Sequence, residues 1–339
     1  MSVIQENVSL LSLNTFHLDI RARYLVDLEN VKQTTDFLTS GQSNLGPKFI
    51  LGGGSNVLFV TDFKGIIIRP LMKGIETIGE NEDFVWLRAG ACENWDSFVA
   101  WCVARDLGGI ENLSLIPGSV GASPIQNIGA YGVEIKDSVH LVEAVNMSTG
   151  EPVILHGKDC RFGYRDSIFK HELRGKVIIT HVVFKLNKKH NLSIGYADLE
   201  KEMKGHSGAT IQTVREAVIS IRRNKLPDPD DIGNAGSFFK NPVLPAGSIK
   251  NLEKKYPGMP VYPVNREYIK LSAAWLIDKC GWKGKKAGNT GTYEKQALIL
   301  INRGGATGRE ILKLAREIQE SVRGQFGLNL EMEVNVVGE

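Results

Sequence analysis

Apolar positions in this chain fall into short runs separated by glycine, proline and polar turns. RYLVDL (23–28) is a strand-length run, and ENVKQTTDFLTSG behind it has helical spacing that closes at Gly41. KFIL (48–51) predicts a buried strand running into GGGSN (52–56); VLFV (57–60), GIIIRP (65–70) and FVWLRAG (84–90) are further strand-type runs. ENWDSFVAWCVARDLGG (93–109) changes period. Trp95, Phe98, Val99 and Cys102 share one side of an amphipathic helix, with Gly108 and Gly109 as its stop. Beyond the small-residue stretch IPGSVGASPIQNIGAYG (116–132), the runs HLVEAVNM, PVILHG and KVIITHVVFKL predict strands. TIQTVREAVISIRRNKL predicts a helix with Val214, Val218 and Ile221 in register, and LPDPDD a rigid turn after it. KLSAAWLIDKCG predicts a helix and QALILIN a strand. Thr307 and Glu310 form a capping box before a helix with Ile311, Ala315, Ile318, Val322 and Phe326 on its apolar face. LNLEMEVNVV closes the chain as a strand, with Leu328, Leu330, Met332, Val334 and Val336 on one face and Glu331 and Glu333 on the other. This mixture is α+β, with a domain boundary expected near residues 215–230.

Composition narrows the class. At 339 residues the chain suits two or three domains, and 42% hydrophobic with 23% charged residues is ordinary for a globular protein. A net charge of +3, from scattered basic residues, gives neither a nucleic-acid footprint nor an acidic tail. A local basic pocket for a small anion remains open. Cys92, Cys102, Cys160 and Cys280 are isolated, and the histidines form no HExxH, so no metal site or redox motif is signalled. No apolar run approaches the roughly 18 residues that span a bilayer. The opening MSVIQENVSLL lacks the basic start and apolar core of a signal peptide, so a cytosolic protein with reduced thiols is expected.

Five stretches could carry chemistry. GGGSN after a strand can converge backbone N–H groups on an anion, although a plain tight turn reads the same way. It is not a Walker loop, and Val57 occupies the third-glycine position of a dinucleotide fingerprint. The second small-residue loop, 116–132, strengthens the functional reading: two such loops suit a long diphosphate ligand with a flat ring. CRFGYRDSIFKHE (160–172) sets Arg161 and Arg165 around an aromatic pair, either as a surface strand with ion pairs or as a fork for a carboxylate. In GNAGSFFKNP (233–242), Ser237 stands between Gly236 and Phe238-Phe239. It is either a turn serine or a hydroxyl held in an apolar setting as a proton donor. Glu331 and Glu333 share a strand face that periodicity alone cannot divide.

ILGGGSNVLF, IPGSVGASPIQNIGAYG, CRFGYRDSIFKHE, KLPDP, GNAGSFFKNP and LEMEV occur in one order. Together they resemble the UDP-N-acetylenolpyruvoylglucosamine reductases, flavoenzymes of peptidoglycan precursor synthesis, from about residue 12 to the C-terminus. LSIGYADLE (192–200) resembles the tyrosine-bearing substrate loop of one class of them. The resemblance implies a vanillyl-alcohol-oxidase-type FAD-binding fold in two subdomains, 1–70 and 71–215. A substrate-binding domain follows at 216–327, and a C-terminal strand, 328–339, could return to the first subdomain. It implies noncovalent FAD with its pyrophosphate on Gly52, Gly53, Gly54, Ser55 and Asn56. The flavin would lie against the second loop, through Gly118, Gly121, Ser123, Pro124 and Ile125, then Asn127, Gly129, Ala130 and Gly132. Arg165, Ser237 and Glu333 would be catalytic, and Tyr196, Lys225, Asn241 and Gln296 would contact the UDP-sugar. Relatives often have an acid as the second residue of the first loop, where this chain has Gly53.

The implied reaction is NADPH-dependent reduction of UDP-N-acetylglucosamine enolpyruvate to UDP-N-acetylmuramate. Hydride would pass from flavin N5 to the vinyl carbon and a proton from Ser237 to its neighbour, with Arg165 and Glu333 stabilising the enolate. A cytoplasmic monomer that binds neither nucleic acid nor membrane, and holds no metal, is expected. Another FAD oxidoreductase of the same fold, of the alcohol or lactone oxidase type, remains an alternative, as does a non-catalytic nucleotide-sugar binding protein.

Overall fold

The small-residue loops lie between elements of two sheets that share a core of Val26, Leu28, Ile66, Ile68, Val145 and Ile178. A computed structural model describes residues 2–206 and 208–338. The chain divides into two units: Met1–Val8, Arg21–Gly54 and Phe63–Asn224 form the first, and Ser9–Ile20, Ser55–Asp62 and Lys225–Glu339 the second.

The first unit contains a four-stranded sheet in the order Ile4–Ser9, Arg21–Leu28, Phe63–Pro70, Lys48–Ile50. Phe63–Pro70 runs parallel to both of its neighbours. Its Ile66, Ile67 and Ile68 are all buried, as in a parallel strand covered on both faces. The helix Val31–Thr39 starts where the Asn30 side chain accepts the Gln33 N–H, and packs Phe37 and Leu38 on Ile66 and Ile68. It ends before Gly41, because Ser40 turns extended and Gly41 opens a 3₁₀ turn.

A second sheet in this unit is antiparallel, in the order Pro152–His156, Val139–Asn146, Val177–Asn187, Phe84–Gly90, Ile75–Glu80. The helix Trp95–Val103 lays Trp95, Phe98, Val99 and Cys102 on it, with Phe98 4.8 Å from Phe184 between ring centroids. This helix is shorter than its sequence pattern predicts. Asp106 takes a left-handed φ of 56° and the Leu107 N–H returns to the Cys102 carbonyl. Gly108 bridges to Asn187 instead of stopping the helix.

The second unit holds a four-stranded sheet, Gly233–Ser237, Ile299–Asn302, Thr290–Thr292, Lys286–Ala287, and a three-stranded one, Val243–Pro245, Tyr268–Leu271, Val261–Pro263. The helix Gly308–Phe326 has the expected capping box, buries all five expected apolar residues and stops at Gly327 with φ 70°. The closing segment departs from a continuous strand. Met332 makes an isolated antiparallel bridge with Phe239, and Asn335–Val337 then pairs in parallel with Val57–Phe59. The change of partner at Val334 breaks the alternation, so Glu331 is exposed and Glu333 half-buried.

Candidate active site

In the first unit, the two small-residue loops abut. A Cβ on Gly52 would lie 3.0 Å from the Ser119 hydroxyl, and one on Gly53 would lie 3.0 Å from Gly118 Cα. Glycine is therefore required by the close approach of the loops themselves. Gly121 is held for another reason, since a Cβ there would meet that of Ala91 at 2.6 Å. Among the described residues, the backbone N–H groups of Gly52, Gly53, Gly118 and Ser119 donate to no protein acceptor. Four unspent donors on touching loops are groups of the kind that can hold an anion.

The second loop is sewn to the turn that carries Arg165. Gly163 and Asp166 bridge across that turn, which places Arg165 at a left-handed φ of 52°. Its guanidinium donates to the carbonyls of Gly129 and Asn127. The Asn127 amide donates to the Gly163 carbonyl at 2.8 Å, and the Ser167 hydroxyl to the Ile125 carbonyl at 2.5 Å. Arg165 and the 116–132 loop are thus one construction. Within it Ser123 and Asn127 face inward. Ser123 donates to Val120, and the buried Asn127 side chain also donates to Glu134 and accepts the Lys136 N–H.

Tyr196 opens the helix Ala197–Met203, is 45% exposed, and sets its ring edge-on to Tyr131 at 5.5 Å. That helix buries Leu199 on Val214, Ala217, Val218 and Ile221 of the helix Ile211–Lys225.

In the second unit, Ser237 ends its strand beside an irregular pairing, next to Gly236 with φ 66°. The expected apolar enclosure is absent from the serine itself. Its side chain is exposed, while Phe238 and Phe239 turn into the core at 0% and 1% exposure. Among the described residues the Ser237 hydroxyl has no hydrogen-bond partner. The Glu333 N–H donates to the Phe238 carbonyl at 2.8 Å, so GNAGSFFKNP and LEMEV lie side by side. Glu331 instead pairs with Lys240 at 2.5 Å. The Asn241 Oδ1 accepts the Ala273 N–H, and the Gln296 Oε1 accepts that of Leu298 at 3.4 Å. Lys225 is the exposed end of its helix.

Residues 22–156 match a family described as FAD binding domain, and residues 228–337 match the UDP-N-acetylenolpyruvoylglucosamine reductase C-terminal domain. A reductase of that name from Flavobacterium johnsoniae is 44% identical, over 98% of this chain and 99% of the relative. One from Bacteroides fragilis is 42% identical, over 98% of this chain and all of the relative. The chain belongs to the UDP-N-acetylenolpyruvoylglucosamine reductase family. Its fold is α+β with the vanillyl-alcohol-oxidase-type FAD-binding architecture. The crystal structure of the Thermus caldophilus reductase aligns with 99% of each chain at a TM-score of 0.70 and 24% identity, which bears on fold alone. The reductase is an FAD-dependent oxidoreductase of peptidoglycan precursor synthesis, a UDP-N-acetylmuramate dehydrogenase with NADPH as co-substrate. No helix among the described residues is long and apolar enough to cross a membrane.

The reductase's own groups fit the cofactor. The four unspent N–H groups suit a pyrophosphate. Cys102 and Cys160 lie in the core; burial pushes both thiols up, that of Cys160 to about 12, so neither is a thiolate nucleophile.

Several residues of the reductase escaped sequence reasoning. Asp96 makes a two-pronged pair with Arg215, at 2.6 and 3.0 Å, and accepts the Leu115 N–H at 2.6 Å. Burial pushes the Asp96 carboxyl up. The Arg215 and Leu115 hydrogen bonds, with the charges of Arg215 and Arg222, outweigh this and hold it below the usual carboxylate range. The available signal was the seven-residue spacing of Arg215 and Arg222, which places both on one face of a single helix.

Proposed function

We infer that Arg165, Ser237 and Glu333 carry the reduction of the enolpyruvyl ether. When bound, FAD takes up hydride from NADPH and supplies it to the vinyl carbon. What this chain must then manage is charge and one proton. Negative charge develops beside the substrate carboxylate, and fixed cations and donors aimed at such charge are the usual remedy. Arg165 supplies a guanidinium held by the flavin-facing loop. Glu333 assists through its half-buried carboxyl. Ser237 delivers the proton that completes saturation of the double bond.

The observation that carries this reading is the pairing of the Ser237 and Glu333 segments through the Phe238 carbonyl. It sets an unbonded hydroxyl and a half-buried carboxyl on adjacent backbones. The UDP-sugar is held by Tyr196, Lys225, Asn241 and Gln296. In both amides the oxygen is already used by a backbone N–H, which leaves the NH₂ groups as ligand donors. The FAD pyrophosphate rests on Gly52, Gly53, Gly54, Ser55 and Asn56, and the flavin against residues 116–132. The protein acts as a cytoplasmic monomer on a soluble nucleotide-sugar and takes no nucleic acid, in keeping with a net charge of +3.

Ser237→Ala separates the two halves of the cycle. It removes a donor and little volume from an exposed position, so folding and yellow colour should survive. In stopped flow, flavin reduction by NADPH should stay near the wild-type rate. Reoxidation by the enolpyruvyl substrate should slow by about 10²-fold or more, as for a lost general acid. Equal slowing of both halves would show that the serine shapes the flavin site and donates no proton.

A further inference from the structure

The strand that ends in Ser237 is bulged. From Asn234 to Ser237 it takes three steps while its partner takes two, from Ile301 to Ile299. A bulge of this kind re-aims the side chain that follows it. Gly236 lies inside the bulge at a left-handed φ of 66°, and a Cβ there would meet nothing within 4 Å. Packing therefore does not hold that residue in place; hydrogen bonds do. The Asn234 Oδ1 accepts the Gly236 N–H at 2.9 Å, and its Nδ2 donates to the Ile232 carbonyl at 2.8 Å. Asn234 is itself buried, and a residue far away in sequence grips both of its backbone groups. Its N–H donates to the Thr15 carbonyl at 2.8 Å, and its carbonyl accepts the Thr15 hydroxyl at 2.6 Å. Thr15 is firmly placed in turn. The buried Asn14 side chain accepts the Leu18 N–H at 2.9 Å and donates to the Leu10 and Leu18 carbonyls at 2.7 and 3.0 Å, which closes the turn that carries Thr15. The Phe16 carbonyl then accepts the Asn302 amide at 2.8 Å, so this turn is fastened to both strands of the bulged pair.

We propose that Thr15 and Asn234 are positioning residues that fix this bulge and thereby aim the Ser237 hydroxyl. This rests on the proton-donor role given to Ser237 above. A serine side chain is short, so the backbone decides where its hydroxyl can reach. Among the described residues that hydroxyl has no hydrogen-bond partner to orient it, and its side chain is exposed. The residue before it is a glycine, which by itself visits left- and right-handed conformations about equally. Proton transfer needs the donor within about 2.6–3.2 Å of its target, and a displacement of about 1 Å can cost about 10²-fold. The Asn234 amide meets the need because it accepts inside the bulge and donates at its base, with one group for each task. Threonine meets it one layer further out. Its hydroxyl donor and its own carbonyl acceptor match the carbonyl and N–H of Asn234.

The test uses the FAD-loaded full chain in stopped flow. Flavin reduction by NADPH and reoxidation by UDP-N-acetylglucosamine enolpyruvate are followed separately. Thr15→Val keeps the shape of the side chain and removes its hydroxyl. Reoxidation should slow by about 10- to 100-fold, and by no more than in Ser237→Ala, while flavin reduction stays near the wild-type rate. Thr15→Ser keeps the hydroxyl and should reoxidise close to the wild-type rate. Asn234→Ala frees the bulge itself and should slow the same half at least as much as Thr15→Val does. Thr15 is only half-buried and valine is isosteric with it, so Thr15→Val decides the matter even if Asn234→Ala does not fold. In a Ser237→Ala background, Thr15→Val should add little, because the group being positioned is gone. Unchanged reoxidation in Thr15→Val, equal loss in Thr15→Ser, slowing of both halves in parallel, or full additivity with Ser237→Ala would each overturn the proposal. A Ser237→Ala protein that is reoxidised as fast as wild type would instead overturn the donor role of Ser237, and the positioning argument with it.

Discussion

Replacing Gly53 by alanine tests whether the first small-residue loop exists for the cofactor. The added Cβ would lie 3.0 Å from Gly118 Cα and 3.3 Å from the Gly118 carbonyl carbon. Carbon pairs rest at about 3.5–4.0 Å, so the loops must part by about half an ångström where they touch. Overpacking of this kind costs about 1–3 kcal/mol. If that cost falls on the bound state, FAD affinity drops about 5- to 150-fold, at 1.4 kcal/mol per decade. Gly53 is itself exposed, so the flavin-free protein can relax and its thermal midpoint should change little. Gly121→Ala is the contrast. Its Cβ would meet Ala91 Cβ at 2.6 Å and Ala91 Cα at 3.0 Å, and alanine has no rotamer with which to yield. The flavin-free Gly121→Ala protein should unfold several degrees lower, at about 2–4 °C per kcal/mol for a domain of this size. Quenching of FAD fluorescence gives the affinity, and unfolding of stripped protein the stability. A Gly53→Ala protein that binds FAD normally yet melts as low as Gly121→Ala would refute the reasoning, because Gly53 would then serve packing alone.

Two further outcomes follow from side chains already placed. Glu333→Gln should lose activity by about 10²-fold, as for a lost acid or donor in the site. Glu331→Gln loses a pair with Lys240 made by a carboxylate that is itself 70% exposed, and its activity should stay near wild type; steady-state rates in the reverse order would sink the assignment. His181, beside Arg88 and Glu143, sits below its ordinary pKa because of burial and the Arg88 charge, which Glu143 only partly offsets. The unfolded chain therefore takes up this proton first, so the stability held by neutral His181 is complete above about pH 6.5 and drains as pH falls through that value toward the folded pKa. Urea midpoints measured from about pH 7 to pH 5 should fall less steeply in His181→Asn than in wild type; parallel slopes would remove His181 from the account.

What the sequence could show depended on whether a residue's task was local. The capping box at Thr307 and Glu310 and the apolar face behind it are legible because every participant lies within one helix. The two glycine-rich loops are legible because missing side chains leave a compositional mark whatever they pack against. Ser237 was singled out by its motif, and its surroundings were misjudged. Two adjacent phenylalanines suggest enclosure, yet both turn into the core while Ser237, at the irregular end of its strand, stays exposed. Glu331 and Glu333 look equivalent by period, and a change of strand partner at Val334 makes them different. Asp96, Arg215 and Arg222 were invisible as a group. Arginine on a helix is commonly solvated, and only the tertiary fold brings Asp96 and Leu115 to that helix face.

Backbone strain in this protein gathers where the chemistry is expected. Leu115, Asn127, Tyr131 and Arg165 all have positive φ, and together they are half of the non-glycine residues that do so among those described. Asparagine tolerates that region, while leucine, tyrosine and arginine are strained there, at about 1–3 kcal/mol each. Such strain persists only where neighbours over-determine the conformation, and every one of the four is held at more than one point. Leu115 has Asp96 and Arg222. Asn127 has Gly163, Glu134 and Lys136. Tyr131 has the Asn112 amide at its carbonyl and the Tyr196 ring against its own. Arg165 has the carbonyls of Gly129 and Asn127, and its own carbonyl accepts the Lys170 ammonium at 3.2 Å. A loop that only covered a surface would relax out of these conformations over evolutionary substitution at no cost to the fold. A loop that must present a guanidinium and backbone donors at set positions gains from being locked before its ligand arrives, since less order is then lost on binding. The cost of three awkward residues, in the 116–132 segment or bonded against it, is the structural sign that the segment is built for position.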